Sequence, residues 1–269
     1  MDNLIAVSSW SLHRTIGVSY PDSPTGAGGR VQHSESPLDL LDLPAALAAH
    51  GYSAMQLCHF HLPSRSPSYV AEFRVALRDA KVDLLTLLID DGDVTDPEIG
   101  LASVKWTADW VRTAAELGAP RARVIAGKQP DSREAIELSF TRLMEIAETA
   151  GEVDVQLEIE NWHALLAAPQ TVHELLDRSQ GALRLNADFG NWPKPYRYEA
   201  LPKIFRRAET CHAKFEFLSP TELDWHDASR CLMIAKDASF SGPMVLVNGG
   251  IGESDWDAMD IQRTAIIEA

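Results

Sequence analysis

Short apolar, β-branched runs recur along the chain at Leu4 to Ser8, Ala54 to Cys58, Leu84 to Ile89, Ala122 to Ala126, Val153 to Ile159, Leu183 to Ala187, Cys211 to Phe217 and Met244 to Val247. Runs of this length bounded by polar residues predict strands. Between them, Leu38 to Ala49, Ser68 to Ala80, Ala102 to Leu117, Arg133 to Ala150, Val172 to Arg178, Glu199 to Arg207, Asp227 to Asp237 and Asp255 to Glu268 predict helices. Most of these carry apolar residues at three- and four-residue steps, which gives each one a face to bury. Gly51, Gly118 and Gly151 supply stop signals for three of them. A strand precedes a helix in every unit, so the crossovers are parallel and right-handed, and eight of them close into a (β/α)8 barrel. A doubly wound sheet would place a glycine-rich phosphate loop after the first strand, where Ser8-Ser9-Trp10-Ser11 stands instead. The whole chain, residues 1–269, is expected to form one barrel domain.

One segment interrupts the short connections. Gly17 to Pro37 is rich in Gly, Pro and Ser and includes Pro24-Thr25-Gly26-Ala27-Gly28-Gly29. It follows strand one, on the face of a barrel where chemistry gathers, so a lid and a disordered insertion are both consistent with it.

Composition narrows the function classes. No apolar run approaches the roughly 20 residues of a membrane span. Met1 to Trp10 lacks the basic and apolar regions of a secretory leader, so a cytoplasmic location is the default expectation. Cys58, Cys211 and Cys231 are an odd set without paired spacing and read as reduced, packed thiols. A net charge of −15 opposes phosphate neutralisation and argues against a nucleic-acid partner. Self-association is left open.

In a barrel the informative residues are the polar ones that terminate strands. Here they are Gln56, His59 and His61 after strand two, Asp90 and Asp91 after three, and Lys128 after four. Glu158, Glu160 and Asn161 follow on strand five, Asp188 on six, His212, Lys214 and Glu216 on seven, and Asn248 on eight. Adjacent strands lie roughly 4.8 Å apart, so Glu160, Asp188 and His212 can converge on one point. Two carboxylates and an imidazole suit one divalent metal ion, Mn, Zn, Co or Mg, with positions left for substrate oxygens. Asn248 borders the same pocket as a weak fourth ligand or water-positioning group, or else begins the turn at Gly249-Gly250. Glu158 shares the face of Glu160 one layer deeper and is either a second functional carboxylate or, preferably, a buried partner of Lys214. His59 and His61 are candidates for proton transfer. Trp10, Trp162 and Trp192 each follow a strand end, where an aromatic face can cover a sugar ring; Trp106 and Trp110 are expected to pack a helix.

Leu157-Glu158-Ile159-Glu160-Asn161-Trp162-His163 resembles the strand-five signature of the xylose-isomerase-like barrels, which include sugar isomerases and epimerases, dehydratases and the AP endonucleases of family 2. Leu185-Asn186-Ala187-Asp188-Phe189-Gly190-Asn191, Cys211-His212-Ala213-Lys214, Gly51-Tyr52-Ser53-Ala54-Met55-Gln56 and Ser8-Ser9-Trp10-Ser11-Leu12 are similar to that family's strands six, seven, two and one. The resemblance implies that Glu160, Asp188 and His212 are three of its four usual metal ligands. It also makes Gln56, Asn161, His163 and Asn191 candidate substrate contacts beside the three tryptophans. The fourth ligand of the family's epimerases is a strand-eight glutamate, and the corresponding stretch here reads Val245-Leu246-Val247-Asn248-Gly249-Gly250; Gln56 stands where glutamate is common in strand two.

The expected activity is a metal-dependent isomerase or epimerase of a sugar, polyol or hydroxy-ketone working through an enediolate. Glu160 would be ligand and base, and Lys214, His59 or His61 the second proton carrier. A lyase or dehydratase follows the same path. A non-catalytic sugar-binding barrel differs from both in lacking substrate C–H exchange with solvent. For DNA repair, Asp224-Trp225-His226 is similar to the additional zinc pair of the endonucleases, but Asn191 replaces their histidine and no histidine ends strand three. A phosphate site at Gly249-Gly250-Ile251-Gly252 would be opposed by Glu253, Asp255 and Asp257, which favours neutral or weakly acidic substrates.

Overall fold

The computed structural model describes residues 3–269; Met1 and Asp2, the first positions of the segment read for a leader, lie outside the described residues. The eight strands are β1 (Ile5–Ser8), β2 (Ala54–Cys58), β3 (Asp83–Leu88), β4 (Arg121–Arg123), β5 (Gln156–Glu160), β6 (Leu183–Asp188), β7 (Ala208–Ala213) and β8 (Met244–Leu246). All pair in parallel around a closed barrel, with β8 against β1 and β1 against β2 completing the ring. The helices that follow the strands are α1 (Leu43–Ala49), α2 (Pro67–Ala80), α3 (Gly100–Leu117), α4 (Arg133–Glu152), α5 (Pro169–Arg178), α6 (Arg197–Ile204), α7 (Trp225–Asp237) and α8 (Asp255–Glu268). None of the described helices is long and apolar enough to cross a membrane.

Boundaries differ from expectation where turn geometry outweighs the apolar pattern. Helix α4 runs through Gly151 to Glu152 and Asp154 turns at φ +56°, so Val153 belongs to the turn and β5 starts at Gln156. Strand β7 stops at Ala213, and Phe217–Ser219 pairs instead with Glu222–Leu223 in a separate hairpin. The three cysteines are buried and unpaired.

The main core lies between sheet and helices, where outward strand residues such as Leu57, Leu87 and Ile159 meet Phe73, Val111 and Leu143. Inside the barrel a small apolar floor of Ala6, Ala54 and Val245 is followed by a polar layer containing Gln56, Thr86, Asn186 and Thr210, all fully buried. Register shifts occur beside Gln56 and beside Asn186. Such bulges re-aim side chains.

The Gly17 to Pro37 segment is folded. Val18–Ser19 pairs with Val31–Gln32, and Asp22–Ser23 with Gly26–Ala27. Asp22 is its anchor: one carboxylate oxygen accepts the indole N–H groups of Trp106 (3.1 Å) and Trp110 (2.9 Å) from α3. Its carbonyl accepts from His59 Nε2 at 3.2 Å. The base of the segment is tied by imidazoles, since His61 pairs with Ser9 Oγ (2.8 Å) and with His13 (3.0 Å), and the His13 ring lies 4.5 Å from that of His33.

Two outcomes are expected of this packing. Asp22→Ala removes both indole bonds and should lower stability by about 1 to 2 kcal/mol while speeding limited proteolysis within residues 17–37; an unchanged cleavage rate would show that the indoles do not hold the loop. The second outcome concerns pH. Burial, and then the neighbouring His13, push His61 down to about 3, against about 6.5 for an unfolded histidine. Between those values the unfolded chain binds the extra proton, so this contribution is complete above pH 6.5 and is lost as pH falls toward 3. His61→Asn should therefore flatten the decline in urea stability between pH 6.5 and 4, and an unaltered slope would count against it.

Candidate metal and substrate site

The C-terminal ends of the strands open into a cavity of about 340 Å3. Glu160, Asp188 and His212 line it from the ends of β5, β6 and β7, each at least 95% buried. His212 Nδ1 lies 3.4 Å from Glu160 Oε2 and 3.6 Å from Asp188 Oδ2. Three ligands at about 2.1 Å from one ion stand roughly 3.0 to 3.4 Å apart, so the donor set fits a divalent cation after small adjustment. The remaining atoms of the trio are already engaged. His212 Nε2 donates to Gln56 Oε1 at 2.8 Å, which leaves Nδ1 for the ion. Asp188 Oδ1 accepts the backbone N–H groups of Gly190 and Asn191, and Glu160 Oε1 accepts Asn191 Nδ2 at 2.6 Å.

Arg123 on β4 is the main cation at this end of the barrel. Its guanidinium is buried, pairs with Asp90, and places Nε 3.0 Å from Glu160 Oε2. Burial works to raise the Glu160 pKa, but the Arg123 charge and then His212 outweigh it and hold the carboxyl well below the usual range. Burial works against a charged His212, yet Glu160 and Asp188 raise it to about 9, so without metal the imidazole carries a proton between the two carboxylates. A divalent ion held by these three residues would take the place of that proton.

Lys214 lies across the loop after β6, its Nζ 3.3 Å from Asn191 Oδ1. A Cβ at Gly190 would stand 2.9 Å from Lys214 Cγ and Cδ, so glycine is what lets the lysine stem cross there. Asn191 thus bridges Glu160 and Lys214. The walls are aromatic: Trp10, 40% exposed at the rim, meets Phe60 edge to face at 6.0 Å, and Trp162 lies opposite with Arg123 5.2 Å from its ring.

The structure brings Glu160, Asp188, His212, Lys214, Asn191, Trp10 and Trp162 into one pocket and leaves other candidates outside it. His59 and His61 occupy a 3-10 turn after β2 whose geometry sends Phe60 to the pocket, while both imidazoles are buried and bonded beneath the long loop. Gln56 lies one layer below the cavity and orients His212, with its own amide held by Thr86. Asn161 is fully buried and exchanges two hydrogen bonds with the Asp188 backbone. Trp192 is a core residue that donates to Leu166 O. His163, at φ +60°, turns the chain and stacks on Trp162 at 4.0 Å outside the pocket lining.

Asn248 does not face the trio. It closes the turn with Ile251 through both amide atoms, because Val245 in β8 and Val247 just after it face inward and the alternation puts Asn248 on the other side. Glu158 is not paired with Lys214: it accepts from Thr210 Oγ1 and lies 3.4 Å from Arg121, and burial raises it to about 7. Beside the Gly249 to Gly252 turn, Arg14 donates to Gly252 O and to Asp255, so its charge is paired with that carboxylate. Asp224 caps α7 and pairs with Lys194, which gives the Asp224-Trp225-His226 motif a structural role.

Arg123, Asp90 and Phe60 were not assigned a role from the sequence. The alternation Arg121-Ala122-Arg123 was the available signal, because it points both guanidiniums into the barrel. Another cavity, about 370 Å3 between α7 and α8, is lined by Trp225, Met233 and Ala265 and, among the described residues, holds no cluster of metal-ligating groups.

No curated protein matches the sequence. Among solved structures, the 3-keto-D-glucoside 4-epimerase of E. coli is 13% identical, with a TM-score of 0.72 over 100% of both chains. A xylose isomerase-like TIM barrel protein from Mycobacterium smegmatis, in complex with magnesium, is 16% identical with a TM-score of 0.70 over 99% of this chain and 96% of that one. A D-psicose 3-epimerase from Clostridium cellulolyticum H10, with D-tagatose, is 14% identical with a TM-score of 0.67 over 97% and 99%. These likenesses concern the fold. The family model described as xylose isomerase-like TIM barrel matches residues 44–212, from α1 through β7, and so takes in all three residues of the trio. The chain belongs to the xylose isomerase-like TIM barrels.

Proposed function

We propose that this protein is a divalent-metal-dependent isomerase or epimerase of a sugar, polyol or related hydroxy-ketone. The observation that carries the reading is the buried Glu160, Asp188 and His212 trio, with donor spacing suited to one ion, at the floor of an aromatic-walled cavity. The epimerases among the structural neighbours support it.

When bound, the ion supplies a Lewis acid for two neighbouring substrate oxygens, which acidifies the C–H between them. The chain does the rest. Arg123 keeps Glu160 anionic, Gln56 keeps His212 Nδ1 directed at the carboxylates, and Asn191 aligns Glu160 with Lys214. Glu160 and Lys214 Nζ are the groups placed to take and return a proton, since His59 and His61 stay outside the cavity. Trp10, Phe60 and Trp162 cover the apolar faces of a sugar ring and exclude water.

The stretch that corresponds to the family's strand-eight glutamate holds no acid, and Val247 lines the cavity there, which favours a second reading. With one carboxylate base and a lysine acid, loss of a neighbouring hydroxyl gives a dehydratase on the same path.

Asp188→Ala and His212→Ala should each remove the bound ion while leaving the barrel folded, and Gln56→Leu should weaken metal affinity by roughly 10- to 100-fold. Elemental analysis and chelator competition measure both effects; full metal content in the first two variants would remove the ion from the scheme. Lys214→Met should retain metal but lower exchange of substrate C–H protons with D2O by roughly a hundredfold or more across a sugar and hydroxy-ketone panel. Exchange at the parent rate would take the lysine out of the chemistry, and product analysis of the same reactions separates epimerisation from dehydration.

A further inference from the structure

A second cavity, of about 390 Å3, lies under the hairpin of residues 17–37, next to the metal-site cavity. Phe60 and Asp90 are walls of both. Small residues leave the new space open from above: Ser23, Gly26 and Gly28 line it, and nothing lies within 4 Å of where a Cβ on Gly26 would stand. The hairpin is not free to collapse into this space, because the two indoles of α3 fix Asp22 from outside.

The lining has a definite chemical preference. Asp90 and Asp91 are acceptors only. Their charge is already offset, by Arg123 in the first case and by Lys128 Nζ at 3.2 Å in the second. A cationic ligand therefore gains little there. An anionic one meets no lysine or arginine in the lining, and both ring nitrogens of His59 are committed, to Asp22 O and to the Asp90 N–H. What remains is a demand for neutral hydroxyl donors beside the ring of Phe60, the pairing that sugars satisfy.

We infer that the cavity under the loop is a second sugar subsite, which takes the neighbouring ring of a glycoside or disaccharide whose first ring lies over Glu160, Asp188 and His212. This rests on the reading of the metal site as a sugar site. The bridging position of Asp90 and Phe60 sets the two rings side by side across one wall, and the long loop after β1 becomes the element that selects two-unit substrates over free monosaccharides.

The test uses the full chain loaded with Mn2+ for calorimetry, and with Mg2+ for saturation-transfer NMR. Each is titrated with D-glucose and D-fructose and then with maltose, cellobiose, lactose and sucrose. At least one disaccharide should bind roughly tenfold more tightly than either monosaccharide, with saturation reaching both of its rings. Ser23→Phe, which fills the cavity from the loop side, should abolish that advantage and leave monosaccharide affinity unchanged. Monosaccharide binding without any disaccharide advantage, saturation confined to one ring, or an advantage that survives in a folded Ser23→Phe protein overturns the subsite alone. Failure of every sugar of either size to bind overturns the sugar reading of the metal site with it. The two-ring measurement is made on the parent protein, so it decides the matter even where the variant disturbs the loop.

Discussion

A buried carboxylate in a barrel interior must be compensated, and around Glu160 this requirement organises the C-terminal end of the strands. An uncompensated charge there would cost several kcal/mol. Arg123 supplies the balance from β4, Asp90 balances Arg123 from the end of β3, and His212 answers from β7. Gln56 then fixes the far side of the imidazole from β2. Five strand ends are thereby tied into one hydrogen-bonded and charged network. The donor atoms of the trio are thus held by one another as well as by their own backbones.

The network explains why the site was legible in part. Strand order and period-two alternation suffice to bring Glu160, Asp188 and His212 together, because the three come from consecutive strands and share one inward direction. The barrel itself was equally readable from the strand-then-helix alternation. For Arg123 the only signal was the alternation within β4, whose three residues carry little apolar pattern to support it. Alternation also decides the strand-eight position: once Val245 is seen to face inward, Asn248 cannot.

The histidines show another limit. His59 and His61 have the parity opposite to the inward residues Ala54, Gln56 and Cys58, so their shared face is the one turned away from the pocket. The 3-10 turn that follows Cys58 keeps Phe60 on the cavity side. The turn is fixed by long-range partners, Ser9 and Asp22, which no local pattern discloses. The long loop follows the same rule. Its Gly, Pro and Ser content is compatible with both order and disorder, and the difference is made by two indoles on a helix more than eighty positions later.

Val247 follows β8 directly and lines the cavity whose floor holds the trio. A carboxylate at that single position would add a further acidic side chain to Asp90, Glu160 and Asp188, which already line the cavity, without altering the turn that Asn248 maintains. Such an exchange would need no change of backbone, only compensation of one more buried negative charge.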